Sequence, residues 1–215
     1  WYKKNGGAFL STTIDKYVYL TVRQLPKFAD SNYRIVWSKV ETVNKIKNIQ
    51  HNVVREMLNA FKFKTGMEVH YQGDLPARSG MGSSSCFTVG LTKALYKIKN
   101  KDLTKTQLTK KTIEFEQKIM KEVVGSQDQT IASYGGFNKI IFNKNSKIQV
   151  QRLSCNKNIE KLNKNLVLIY TGINRTAHKI ANSYVRKLTK SKKNHIENIM
   201  SYVNEGKTIL ESGNV

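Results

Sequence analysis

Apolar and polar positions along the chain change period several times, and each change marks an element. Between Gly6 and Arg23, Ala8, Leu10, Thr12 and Ile14 share one parity, and Val18, Leu20 and Val22 continue it. That alternation predicts one long strand, or two strands joined near Asp15–Lys16. Tyr33–Trp37 and Met67–Tyr71 read as further short strands. Between them, Val53, Val54, Met57, Leu58 and Phe61 recur at the spacing of an amphipathic helix over 52–61. A second helix is predicted over 87–96. A third opens at the capping box Thr104-x-x-Gln107 and runs to about Lys121. Gly135-Gly136 predicts a tight turn before a strand over 137–142, and Ile148–Leu153 pairs with that strand as a hairpin. Leu166–Tyr170 is almost wholly apolar and reads as a central strand. Two amphipathic helices follow, over 176–188 and 195–210. Strands and helices alternate without regular strand–helix spacing, and the early strands look antiparallel, so the fold class is α+β layers.

The chain has 215 residues, no internal repeat and no run near the roughly 20 apolar residues of a membrane span. The lysine- and asparagine-rich stretch 154–165 is the best candidate for a domain boundary. Cys86 and Cys155 are the only cysteines and lie far apart, which suits a reduced, cytoplasmic setting. The formal charge of +22 raises nucleic-acid binding as a rival reading. Against it, lysine greatly outnumbers arginine, lysines are interleaved with asparagine, and no aromatic RNA-reading motif appears. A solvated lysine surface accounts better for the charge, and its field would attract anionic substrates.

Candidate chemistry concentrates in Asp74-Leu-Pro-Ala-Arg-Ser-Gly-Met-Gly-Ser-Ser-Ser-Cys86. This string joins a predicted strand to a predicted helix. Gly80 and Gly82 carry no Cβ and let backbone approach a ligand. Amides at the helix start favour phosphate, and the serines add hydroxyls. A capped turn is the plain alternative, since serines cap helices well. A thiolate nucleophile at Cys86 is a weaker one. The string lacks the ending of a Walker loop and the third glycine of a dinucleotide fingerprint. A second segment, Val124-Gly-Ser-Gln-Asp-Gln-Thr-Ile-Ala-Ser-Tyr-Gly-Gly136, puts Asp128 just after a helix and a glycine, where it could simply cap the next helix. On the preceding helix, Glu116 borders the stripe of Leu108, Phe115 and Ile119, whereas Glu114 lies among lysines. A carboxylate at that inner edge needs a metal or a buried cation as partner.

Pro76 followed by Gly80-Met-Gly-Ser-Ser84 resembles the phosphate-binding motif of the GHMP small-molecule kinases, with Met81 where that family usually has leucine. Gly125-x-x-Asp128-Gln129 followed by Tyr134-Gly-Gly136 resembles the segment that carries the catalytic aspartate in galactokinase-like members. The twelve positions between Glu116 and Asp128 are similar there too. Within the family, Gly6–Tyr19, Ser83–Leu91, Gly125–Gln129 and Tyr170–Ala177 look like D-glycero-D-manno-heptose 7-phosphate kinases, along almost the whole chain.

The resemblance implies a GHMP-kinase-like two-domain fold. Residues 1–155 would form most of the N-terminal, nucleotide-binding domain, and 156–215 the truncated start of the C-terminal one. The family's first strand with its glycine-rich sugar loop would precede Trp1, and its last glycine-rich motif would follow Val215, so the chain reads as a fragment. The implied reaction is phosphoryl transfer from ATP to the anomeric hydroxyl of a heptose phosphate, or of another sugar such as galactose or fucose. Arg78, Ser79, Gly80, Met81, Gly82, Ser83, Ser84 and Ser85 would wrap the phosphates. Ser84 and Glu116 would hold Mg2+. Asp128 would take or orient the acceptor proton, with its pKa depressed by a lysine or arginine that in the family often comes from a segment before Trp1; Arg78 is the in-chain candidate. The implied partner is a small-molecule sugar phosphate, with a homodimer as candidate assembly and no nucleic-acid or membrane partner.

Overall fold

A computed structural model describes residues 1–77, 79–153, 156–173 and 191–213, with 181, 185 and 188 between them. Contacts group these residues into two compact units.

The first unit, Asp15–Tyr134, holds a four-stranded sheet. Its strands are β2 (Val18–Gln24), β3 (Tyr33–Val36), β4 (Val40–Val43) and β5 (Met67–Gly73). β1 (Gly7–Thr12) belongs to the other unit, so the long alternating run of the sequence is two strands in separate sheets. The order is β2-β5-β3-β4, with β5 antiparallel to β2 and parallel to β3. Helices α2 (Asn52–Phe61) and α3 (Ser83–Ile98) supply the other side of the core. Met67 and Val69 of β5 pack with Ile35, Val54, Met57, Leu58, Leu91 and Leu95.

Two glycines show how tightly this layer closes. A Cβ on Gly66 would lie 2.2 Å from the backbone oxygen of Asn32, which itself accepts the Met67 amide at 2.8 Å. A Cβ on Gly90, in α3, would meet only the tip of Leu20, at 2.6 Å. Backbone cannot yield without losing a ladder bond, whereas a leucine can change rotamer. Gly66→Ala is therefore expected to cost about 1–3 kcal/mol. Gly90→Ala should cost less, since alanine favours the helix by about 1 kcal/mol over glycine. Urea midpoints of the two variants check the ranking.

On the opposite sheet face, register places Arg23 and Arg34 directly beside Glu68. Both arginines donate to the Glu68 carboxylate, and the His70 ring lies 2.7 Å from it. The carboxylate is covered, but by guanidinium groups that are themselves half in water, so its screen is thin. Loss of water pushes the carboxyl upward, but the bonds from His70, Arg23 and Arg34 outweigh that and hold its pKa at about 2. A depressed carboxyl stabilises the fold above its unfolded pKa and stops doing so as pH falls through the folded value. Stability should thus decline between pH values of about 4.5 and about 2. Glu68→Gln should flatten that decline in urea melts recorded against pH.

The rest of this unit is helical. Helix α4 (Lys105–Glu114) opens with the expected reciprocal capping box of Thr104 and Gln107. It runs into a π-helical turn, Phe115–Ile119, and then to α5 (Gln127–Tyr134). The wider turn alters the expected stripe: Leu108 and Phe115 are buried, but Ile119 is 48% exposed and Glu116 is buried instead.

The second unit comprises Trp1–Ile14, Gly135–Ile173 and the described residues beyond 180. A short N-terminal helix, α1 (Tyr2–Asn5), precedes β1, which pairs antiparallel with β6 (Phe137–Phe142). β6 pairs with β7 (Ile148–Arg152) in the expected hairpin. Gly135 and Gly136 both have positive φ, as the tight turn requires. Helix α6 (Asn156–Lys164) occupies the lysine-rich stretch, and α7 (Lys193–Ser212) packs Val203 and Leu210 inward. The predicted helix over 176–188 and Cys155 lie outside the described residues.

One expectation is overturned. Leu166–Tyr170 forms no ladder among the described residues; it is irregular, and Val167 is 83% exposed. An apolar run becomes a strand only where another strand supplies its backbone partners.

Candidate active site

Everything that converges on the glycine–serine string belongs to the unit Asp15–Tyr134. β5 ends at Gly73, and the loop that follows reaches α3 through Gly80 and Gly82, both at positive φ. Gly82 is the N-cap of α3, and among the described residues no side chain caps that end. The first-turn amides are left as donors at the positive end of a 16-residue helix. A Cβ on Gly82 would stand 3.5 Å from the Asp128 carboxyl group. That is an ordinary contact distance, so what favours glycine here is its φ of 72°.

The string's residues differ in their surroundings. Ser83 is half-buried, Ser84 and Gly80 are exposed, and Met81 is 44% exposed. The Ser79 hydroxyl oxygen is buried with no hydrogen-bond partner among the described residues. Arg78 lies outside the described residues. Ser85 is buried and donates its hydroxyl to Glu116 Oε2 at 3.3 Å.

Glu116 is 3% exposed. Gln129, itself 1% exposed, donates its amide to the same Oε2. Burial pushes the Glu116 carboxyl up, while its polar neighbours Gln129, Thr88 and Ser85 pull it down; burial prevails. Glu116 Oε1 has no hydrogen-bond partner among the described residues, and no lysine or arginine pairs with the carboxylate there. The alternative of a structural ion pair thus finds no support.

Helix contacts fix these groups relative to one another. The Gln117 amide donates to the carbonyls of Val124 and Gly125, at 3.2 Å each, and so clamps the link from the π turn to α5. Lys105 donates to the carbonyl of Tyr134 at the far end of α5, at 2.8 Å. Asp128 sits in the first turn of α5 at a solvent-accessible rim, yet enough protein surrounds its carboxyl to raise its pKa. Among the described residues no lysine or arginine depresses Asp128; Arg78, the in-chain candidate, lies outside them. Cys86 is pushed up by burial and by Asp128, the reverse of what a thiolate nucleophile needs.

The arrangement therefore offers an open helix amino terminus, an accessible carboxylate above it and a buried carboxylate one layer deeper. Among the described residues, no three His, Cys, Asp or Glu side chains cluster as a metal site. Magnesium needs no such cage, since one or two carboxylates with water and phosphate complete its shell. The orphaned Glu116 Oε1 fits that kind of site.

Residues 44–136 match the profile of the GHMP kinases N terminal domain. The chain carries a GHMP kinase N-terminal domain. It is 30% identical over 190 residues to the D-glycero-alpha-D-manno-heptose 7-phosphate kinase of Campylobacter jejuni, a match covering 82% of this chain and 55% of that protein. The chain thus spans about half the length of that curated relative. Solved GHMP kinases share the fold. A D-glycero-D-manno-heptose 1-phosphate kinase from Bacteriodes thetaiotaomicron superposes with a TM-score of 0.61 at 20% identity, over 97% of this chain and 72% of that one. Lactococcus lactis galactokinase complexed with galactose gives 0.63 at 13% identity, over 98% and 66%. Methanococcus jannaschii mevalonate kinase gives 0.60 at 19%, over 97% and 66%.

Two buried contacts of Glu116 in this GHMP domain are absent from the sequence reading, which gives Ser85 only to the phosphates and Gln129 no role. Ser85, rather than Ser84, is the serine that touches Glu116. Gln129 bonds to the same carboxylate. Helical phase offers a signal for Ser85: it shares a face with Thr88 and Thr92, all three buried.

Proposed function

We propose that the whole protein is an ATP-dependent kinase that phosphorylates a sugar phosphate, with the anomeric hydroxyl of D-glycero-D-manno-heptose 7-phosphate as acceptor. Its product would feed surface polysaccharide precursors, in the cytoplasm. The observation that carries this reading is the meeting of Glu116, Asp128 and the uncapped start of α3 within one unit. The name of the Campylobacter jejuni relative supports the acceptor. Residues 1–155 are assigned to the nucleotide domain and 156–215 to the beginning of the second.

The amides of Gly82–Ser85 would bind the nucleotide phosphates, with Arg78, Ser79, Gly80 and Met81 completing the wrap. Ser84 and Glu116 would hold Mg2+, which neutralises phosphate charge when bound. Asp128 would orient the acceptor hydroxyl and take its proton. Phosphoryl transfer asks the protein mainly for positioning and electrostatic stabilisation, which this set provides.

The test is ATP consumption by the complete protein against heptose, hexose and pentose phosphates and free sugars. Turnover with the heptose 7-phosphate well above the others supports the assignment. Preference for galactose or fucose would move the protein to another anomeric sugar kinase, and ATP binding without phosphorylation of any acceptor would overturn the kinase reading.

A further inference from the structure

Three buried polar atoms lie around one carboxylate, and their pairing is lopsided. Glu116 Oε2 accepts two bonds, from the Ser85 hydroxyl and the Gln129 amide. Glu116 Oε1 accepts none among the described residues, and neither does the side-chain amide oxygen of Gln129, Oε1. Buried acceptors without donors are rare in native proteins and call for an explanation. Here two of them belong to a single bonded pair of side chains, each nine-tenths or more buried. Both are hard oxygen acceptors, the ligand type that magnesium takes directly or through its water.

We propose that Gln129 is a positioning residue for the metal ion. Its amide and the Ser85 hydroxyl hold one oxygen of Glu116, which leaves the other oxygen, together with Gln129's own Oε1, to serve the cation or its water shell. This rests on the kinase reading above and adds to it a residue with no role assigned there. The division of labour follows from chemistry. Glutamine brings a donor and an acceptor on one planar group, so one end can restrain the ligand while the other faces the ion. Fixing a metal-binding carboxylate from a neighbouring side chain is a general means of tuning affinity. Gln129 also follows Asp128 in the same helical turn, so its seat ties the metal ligand to the accessible carboxylate.

The test uses the complete protein with a non-hydrolysable ATP analogue and Mn2+ as the probe, with free Mn2+ followed by electron paramagnetic resonance. Gln129→Met keeps the volume and removes both polar atoms; it should weaken Mn2+ binding about 10–100-fold. Gln129→Asn keeps both the donor and the acceptor but draws them back by one methylene, and should weaken binding less than Gln129→Met does. Melting temperature serves as the fold control, and a purely structural role would move it without changing the metal affinity of the folded protein. Glu116→Gln separates the two levels of the argument. If Glu116→Gln loses Mn2+ while Gln129→Met binds as the parent does, the inference about Gln129 is wrong and its oxygen is satisfied by a proton or buried water. If Glu116→Gln also binds normally, the metal assignment itself fails. Should Gln129→Met not fold, weakened Mn2+ binding in Gln129→Asn would support the proposal, and binding equal to the parent's would count against it.

Discussion

Replacing Asp128 by asparagine in the complete protein should lower turnover by a factor of about 10²–10⁴ while nucleotide affinity stays within about twofold, the range expected for a lost general base. Asparagine keeps the shape and the helix position but cannot accept a proton. Asp128 stands beside Gly82, with its carboxyl 3.5 Å from where a Cβ would be, so it faces the space above the loop without holding the loop in place. The fold should therefore survive the change. Steady-state rates together with calorimetric titration of the ATP analogue measure the two effects separately. Unchanged turnover would remove Asp128 from the proton-transfer role.

The second large effect is expected at Glu116, and it has opposite signs for activity and stability. Glu116→Gln should cut magnesium-dependent turnover by at least about 100-fold, because a neutral amide no longer attracts the cation that neutralises the phosphates. The same change should leave the melting temperature of the metal-free protein equal to or above the parent's. A buried carboxylate without a counter-ion is costly to fold around, and its amide analogue is not. Rates at increasing Mg2+ and a melting curve in chelator test the pair. A clear loss of stability with unchanged magnesium dependence would mean that Glu116 serves the core.

Much of this arrangement could be read from the chain. The stripe Val53, Val54, Met57, Leu58, Phe61 gave α2 without ambiguity, because one apolar face is enough to define a helix of that length. Capping chemistry placed the start of α4, and paired glycines placed the turn before β6. Those signals are local. The features that escaped depend on neighbours. β4 is four residues with two polar side chains, and it forms because β3 lies beside it. The π turn at Phe115–Ile119 follows no periodic rule, yet it exchanges Ile119 for Glu116 on the buried side. Leu166–Tyr170 has the composition of a central strand and lacks one among the described residues because composition supplies no partner. α6 arises in a stretch whose lysines and asparagines suggested only a boundary.

At the site, the order of legibility was similar. The glycine–serine string and the Asp128 segment were visible as strings, and the inner edge of the third helix singled out Glu116 from Glu114. The choice between adjacent serines depends on helix rotation, which a run of three identical residues conceals. The environment of Asp128 is less legible: the burial that raises its pKa comes from neighbours that the local string does not name.

The central claim is that nucleotide phosphates sit on the amino end of α3. Amide chemical shifts of the complete, isotopically labelled protein, recorded while magnesium-ATP is added, test it most directly. The account predicts the largest saturable shifts at Gly80–Cys86, reduced in Glu116→Gln. Saturable binding that leaves those amides unmoved and shifts another surface instead would contradict it.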